Sequence, residues 1–215
     1  QILAFIFGLF AVFVAYGIAR VHGQTPIVSL VLAGVIVGAF FSALVSVIEF
    51  LVEPEKLAGI VYWIMGGLYL ADWSDVYTVT PVIASGTIIL FLMRWRLNVL
   101  SMGEEEAKAM GLNAERDKAI IITAATLVTA SAVSVSGIIG WVGLIIPHMV
   151  RILVGPDHRK LIPLSATFGA SFLLLCDDIA RTLLTYEIPI GVITTLTGAP
   201  FFAYLLKKYK GGGWS

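Results

Sequence analysis

Gly137–Leu206 reads GIIGWVGLIIPHMVRILVGPDHRKLIPLSATFGASFLLLCDDIARTLLTYEIPIGVITTLTGAPFFAYLL. Three apolar segments are parted by two short interruptions. One is basic, Gly155-Pro156-Asp157-His158-Arg159-Lys160; the other, Tyr186-Glu187-Ile188-Pro189, is not. Gly155 suits a helix C-terminus, Pro156 blocks continuation, and Asp157 can cap the next helix. About fourteen residues between Gly140 and Gly155 give only ~21 Å of helix, against a hydrocarbon core of ~30 Å. The first segment is therefore expected to be a half-helix, kinked or broken at Pro147, whose remaining depth is irregular backbone covered by protein or water. Residues 161–183 and 188–206 are expected to cross fully, the latter with small residues Gly191, Thr195 and Ala199 four apart. Asp177, Asp178 and Arg181 sit inside an otherwise apolar run.

The rest of the chain agrees. Of its 215 residues 59% are hydrophobic and 13% charged, and the mean hydropathy is +0.95. A water-soluble core cannot bury that much apolar surface, so lipid is the expected solvent and the expected class is an all-α polytopic membrane protein. The formal net charge is zero, which gives no sign of nucleic-acid binding. The one cysteine, Cys176, excludes an internal disulfide and reads as a packed thiol. No signal peptide is apparent, and the chain opens at Gln1 directly into an apolar helix, as a fragment would.

Upstream, residues 2–19 and 26–48 are expected spans, the second with Thr25 as N-cap and Pro26 at the first helical position. Gly34, Gly38 and Ser42 form a small-residue ridge on it, suited to packing within the subunit, to a subunit interface, or to the wall of a central pathway. Residues 50–80 mix Glu53, Glu55, Asp72 and Asp75 with five aromatic residues and carry Gly66-Gly67, so an interfacial or re-entrant helix is expected there, followed by a span over 79–93. Residues 97–118 are polar, with Ser101 expected to cap a short helix that Gly111 stops and Asn113 available to start another turn. That segment is either a solvated connector or a protein-contact surface offering Leu100, Met102, Ala107 and Met110. Residues 119–136 cross again. Arginine and lysine fall on one face with the exceptions of Lys56 and Arg181, so the positive-inside rule predicts seven crossings, a start outside, a cytoplasmic C-terminus, and an odd number of spans upstream.

There is no GxxxxGK[ST] phosphate loop, no metal-ligand spacing among His22, His148 and His158, and no defensible Ser/His/Asp arrangement. No cofactor and no enzymatic step are expected. His148 either lines a pathway or packs. Asp177 and Asp178 both lie within helical reach of Arg181, which leaves three readings: an internal ion pair, an arginine free for an acidic partner, or a proton relay of an ion-coupled secondary transporter.

GWVGLIIPHMVRILVGPDHRKLIPLSATFGASFLLLCDDIARTLL closely resembles the signature of FecCD-type permeases, the membrane subunits of type II ABC importers for iron-siderophores, haem and vitamin B12. The likeness extends to EIPIGVITTLTGAPFFAYLL, LNVLSMGEEEAKAMG and YWIMGGL. It departs at Cys176-Asp177-Asp178, where the alignment on Ala180-Arg181 favours Asp177 for the family's aspartate. The resemblance implies a ten-helix bundle of which this chain is the C-terminal two thirds: a single permease domain over 1–210, then a flexible tail at 211–215. It implies a homodimer in the plasma membrane, partnered by ABC ATPase subunits and an extracellular or periplasmic substrate-binding protein. Coupling helices would lie at 97–115, with Leu100, Met102, Gly103, Glu104, Glu105, Ala107, Met110 and Gly111 meeting the ATPase. Arg181 would receive the binding protein. Gly34, Gly38, Ser42, Gly191, Thr195, Gly198 and Ala199 would line the pathway or the dimer contact.

Overall fold

The computed structural model describes residues 1–21, 23–69 and 71–208; His22 and the 211–215 tail lie outside them. Among the described residues the chain forms nine α-helices: α1 Ile2–Ala19, α2 Ile27–Leu51, α3 Pro54–Ile64, α4 Trp73–Leu100, α5 Glu104–Ala109, α6 Ala114–Ser136, α7 Val142–Val154, α8 His158–Thr182 and α9 Ile190–Lys208. Five of them, α1, α2, α4, α6 and α8, are long and apolar enough to cross a bilayer, and α7 and α9 are shorter apolar helices. The 18 residues of α1 give ~27 Å and the 28 of α4 ~42 Å, against ~30 Å of hydrocarbon. Large apolar side chains point outward along them, Ile2 at 78%, Val28 at 71% and Leu92 at 72% exposure, which water would not tolerate on this scale. The protein is an all-α polytopic membrane bundle.

The chain divides into two compact units. The first holds residues 1–61 and 72–135. The Val21–Gln24 bridge turns α1 back onto α2, where Ala33 and Val37 are buried. Thr25 does not cap α2. The helix starts after Pro26 with no side-chain cap, and the Thr25 hydroxyl is used elsewhere. The expected span at 79–93 is longer: α4 begins at Trp73, so Asp72, Trp73, Asp75 and Tyr77 belong to its start and not to an interfacial helix. The reason is a capping box, in which Asp72 accepts from the Asp75 N–H at 2.9 Å and Asp75 accepts from the Asp72 N–H at 3.3 Å. The Asp75 N–H, with the Ser74 hydroxyl at 2.8 Å, holds the Asp72 carboxyl below the usual carboxylate range. Gly86 lets α4 meet α6 closely, since a Cβ there would lie 2.6 Å from Val128 Cγ2 and 2.9 Å from the Ala124 carbonyl.

Polar side chains fix the two ends of this unit. Gln1 Nε2 donates to Asp75 Oδ1 at 2.7 Å, joining the start of α1 to the start of α4. At the other end, Thr25 meets Glu115 of α6 and Arg96 of α4 meets Asp117 of α6.

The second unit holds residues 62–71 and the chain from Ser136 onward. Its core is Cys176, Ala180, Ile190 and Ile193, with Ile146, Val150 and Leu161 where α7 packs on α8. The half-helix expectation is met in form. Residues 137–140 are irregular, α7 has 13 residues, and the helix runs through Pro147 without a break. Gly155 ends α7 at φ +84°, and the Asp157 carboxylate caps α8 by accepting from the Arg159 N–H at 2.9 Å.

Candidate functional site

In the first unit, α5 is a six-residue helix held between two glycine corners, Gly103 at φ +133° and Gly111 at φ +78°. Both are left-handed values that a residue with a Cβ rarely adopts. Ser101 does not cap α5; its hydroxyl donates to the Asn98 carbonyl at the end of α4. Asn113 does cap the next helix, accepting from the Arg116 N–H at 3.1 Å. Ala107 is fully buried against Val99 and Ala114, with Leu100 and Leu112 around them. Met102 is 66% and Met110 53% exposed. Glu105 makes only a solvated 3.5 Å pair with Lys108. The segment thus has an anchored underside and an open face carrying two methionines and acidic groups.

The first turns of α6 carry charges that are not on the surface. Asp117 is fully buried and pairs with Arg96 Nη1 at 2.6 Å, while its second oxygen has no partner. Lys118, 11% exposed, bonds to Glu104 and lies 3.1 Å from Glu115. Sequence reading placed Glu104 in the ATPase contact, took Thr25 for a helix cap and Arg96 and Lys118 only as cations marking one face, and gave Glu115 and Asp117 no role. The signal available was a run of alternating charges inside the first turns of an apolar helix.

In the second unit three glycines meet. A Cβ on Gly66 would enter the Ile138 carbonyl, one on Gly137 the Trp63 carbonyl, and one on Gly191 the Met65 carbonyl. The Gly67 N–H donates to the Ser136 carbonyl at 2.8 Å and the Gly191 N–H to the Gly66 carbonyl at 3.5 Å. Irregular backbone at 65–67 and 137–140 is thereby packed against the start of α9, which satisfies part of its hydrogen-bonding demand. Beside this junction lies an open, mainly apolar cleft of about 430 Å³, lined by Ile64, Met65, Trp141, Gly191, Thr195 and Leu196 among others. Thr195 turns its hydroxyl back to the Gly191 carbonyl at 2.6 Å, so it offers the cleft little polarity. Trp141 takes φ +69°, unusual for a side chain of its size, and Gly198 accommodates it, a Cβ there falling 2.8 Å from Trp141 Cβ. Ala199 is half-buried and does not line the cleft. His148 packs edge-on against Phe202 at 5.1 Å.

At the end of α8, Arg181 Nε pairs with Asp177 Oδ2 at 2.8 Å and its Nη1 lies 3.7 Å from Glu187. Asp178 is exposed on the adjacent face. Glu187, read in the sequence only as part of the interruption before α9, is positioned by Tyr62, whose hydroxyl donates to its carbonyl. Arg181 is 43% exposed, so it is accessible from outside this unit. Gly34, Gly38 and Ser42 face away from the rest of the first unit; no atom would meet a Cβ at either glycine within 4 Å.

A family model described as the FecCD transport family matches residues 1–208. The chain is 44% identical over 209 residues to the cobalamin import system permease protein BtuC of Halobacterium salinarum, covering 96% of this chain and 56% of that one. It is 39% identical to the molybdate import system permease protein MolB of Haemophilus influenzae, covering 97% of this chain and 65% of that one. Among solved structures, one described as an inward-facing conformation of a metal-chelate type ABC transporter superposes with a TM-score of 0.88 at 38% identity, covering 95% of this chain and 65% of that one. The chain spans a little over half to about two thirds of the length of these proteins.

Proposed function

This chain belongs to the FecCD transport family, and from that premise we propose that it is part of the permease subunit of an ATP-driven importer in the plasma membrane, carrying a metal chelate or a corrinoid inward with its C-terminus cytoplasmic. The observation that carries this reading is α5: a short rigid helix with an open methionine-flanked face, tied through buried charges to the feet of membrane-length helices. A solvated connector needs neither glycine corners nor a fully buried alanine. In this reading Leu100, Gly103, Ala107 and Gly111 shape the segment, Glu104 ties it to Lys118, and Met102, Glu105 and Met110 address an ABC ATPase. Arg181, with Asp177 and Glu187 beside it, receives an acidic group of a substrate-binding protein. The cleft at Gly191 and Thr195, with Gly198 and Ala199 further along α9, lies toward the pathway, and the Gly34, Gly38 and Ser42 face lies toward the pathway or a second copy. The chain makes and breaks no covalent bond; ATP hydrolysis in the partner shifts it between outward- and inward-facing states through contacts that differ between them.

The ion-coupled alternative needs Asp177, Asp178 and Arg181 as a relay. Arg181 instead closes its pairs at the accessible end of α8. The deciding experiment reconstitutes the whole permease in proteoliposomes with its ATPase and binding protein, using hemin and cobalamin as probes. Uptake of one of them that requires ATP and all three components is expected. Uptake driven by an ion gradient without the ATPase would overturn the reading. Met102→Glu with Met110→Glu should abolish co-purification of the ATPase while leaving the folded permease yield intact.

A further inference from the structure

The polar groups of Thr25 form an unusual arrangement for a turn between two apolar helices. Thr25 is fully buried. Its N–H donates to Glu115 Oε1 at 3.2 Å, its hydroxyl donates to Glu115 Oε2 at 2.6 Å, and its carbonyl accepts from Lys118 Nζ at 3.0 Å. All three polar groups of one residue are held by two side chains of a different helix. Lys118 also bonds to Glu104, the first residue of α5, and to Glu115.

The surroundings divide into two bodies. The end of α4, α5 and the start of α6 are tied together, because Val99, Ala107 and Ala114 form a buried cluster and Arg96 pairs with buried Asp117. The α1–α2 hairpin is the other. It meets α6 at apolar contacts, as where a Cβ on Gly8 would lie 3.2 Å from Ala130 Cβ, and its far end is tied to the start of α4 by the Gln1–Asp75 bond. Apolar contact is non-directional and tolerates sliding. The bonds at Thr25 are directional and charge-assisted, and Thr25 itself is fully buried, so at this end they fix the register of the hairpin against α6.

Resting on the permease reading above, we infer that Thr25, Glu115 and Lys118 form a positioning clamp that transmits displacement of α5 to the α1–α2 hairpin. The three residues touch neither cargo nor ATPase in this scheme. With Lys118 absent, Glu104 and Glu115 would face each other as like charges and the Thr25 carbonyl would lose its donor. With the Thr25 hydroxyl absent, Glu115 would keep Lys118 and the Thr25 N–H but lose its shortest bond to the turn. Either change lets α5 move without carrying the hairpin along.

The test uses the reconstituted importer with hemin and cobalamin as probes and compares Thr25→Val, Thr25→Ser and Lys118→Met. Three quantities are read: the melting temperature, ATPase co-purification, and cargo imported per ATP hydrolysed. Thr25→Val nearly preserves shape while removing the hydroxyl. It should assemble and hydrolyse ATP, yet import about 5-fold less or worse per ATP, within the 5- to 150-fold span of typical site-to-site coupling. Thr25→Ser, which keeps the hydroxyl, should restore the ratio, and Lys118→Met should match Thr25→Val. If Lys118→Met fails to assemble, Thr25→Val against Thr25→Ser decides alone. Wild-type import per ATP in assembled Thr25→Val would overturn the clamp, as would a loss that tracks only the amount of folded complex. A wild-type complex without ATP-dependent import would overturn the permease reading, and the clamp with it.

Discussion

Replacing Gly191 by alanine adds one carbon to the tightest junction of the second unit. That carbon would sit in clashing contact with the Met65 carbonyl oxygen, 3.1 Å from the Ile138 carbonyl oxygen and 3.2 Å from the Met65 carbonyl carbon. All three neighbours are backbone, so no side-chain rotation relieves the overlap. Overpacking of this kind costs about 1–3 kcal/mol, and displacing α9 also removes the Gly191 N–H to Gly66 bond, worth about 0.5–1.5 kcal/mol. The sum, about 1.5–4.5 kcal/mol, corresponds to a fall of roughly 3–18 °C in melting temperature for a chain of this size. The control is Gly143→Ala in α7 of the same unit, where a Cβ meets nothing within 4 Å. There the usual helical preference for alanine applies, and stability should hold or rise by up to about 1 kcal/mol. Thermal unfolding of the detergent-solubilised protein, followed by tryptophan fluorescence or size-exclusion recovery, separates the two. Equal behaviour of Gly191→Ala and Gly143→Ala would refute the claim that backbone contact at the three-glycine junction holds α9 in place.

Arg96→Ala should destabilise the first unit by about 3–5 kcal/mol by leaving Asp117 charged, buried and unpaired, whereas Asp117→Asn should do less harm because Arg96 is 44% exposed and can rehydrate; denaturant titration of both variants checks the order. Asp72 has a folded-state pKa below its ordinary value, so its contribution is present at neutral pH and is lost as pH falls through the acid range. The melting-temperature gap between wild type and Asp72→Asn should accordingly be open at neutral pH and shrink as pH falls below the ordinary carboxylate range. Arg181→Ala should leave stability within about 1 kcal/mol, since its pairs are half-exposed, yet weaken docking of the substrate-binding protein in a surface-plasmon measurement.

Much of the outline was legible because lipid imposes strong rules on sequence. Uninterrupted apolar runs had to become helices, so α1, α2, α6 and α8 fall close to where hydropathy puts them. Punctuation was also readable: Gly155 and Asp157 stop and start helices as their chemistry requires, and so do Gly111 and Asn113. The start of α4 was misjudged because aromatic and acidic residues read as a membrane boundary, while a capping box over Asp72–Asp75 outweighed that pattern. Thr25 and Ser101 looked like N-caps by residue type, but each found a better partner, Glu115 across 90 positions and Asn98 three residues back.

By itself, the sequence determined the class and the family, since these depend on composition, local periodicity and a contiguous motif; of the seven crossings it predicts, five are helices long and apolar enough to span among the described residues, and α7 and α9 are shorter. Only the tertiary structure decided which charges are buried partners and which are surface groups. Lys118 and Glu105 look alike in the chain, yet one is sealed between three elements and the other is solvated. The same holds for glycines: Gly191 and Gly34 share a spacing rule, but only Gly191 touches backbone. A one-dimensional pattern records what a residue can do, whereas close approach and desolvation depend on neighbours that the chain brings together from far apart.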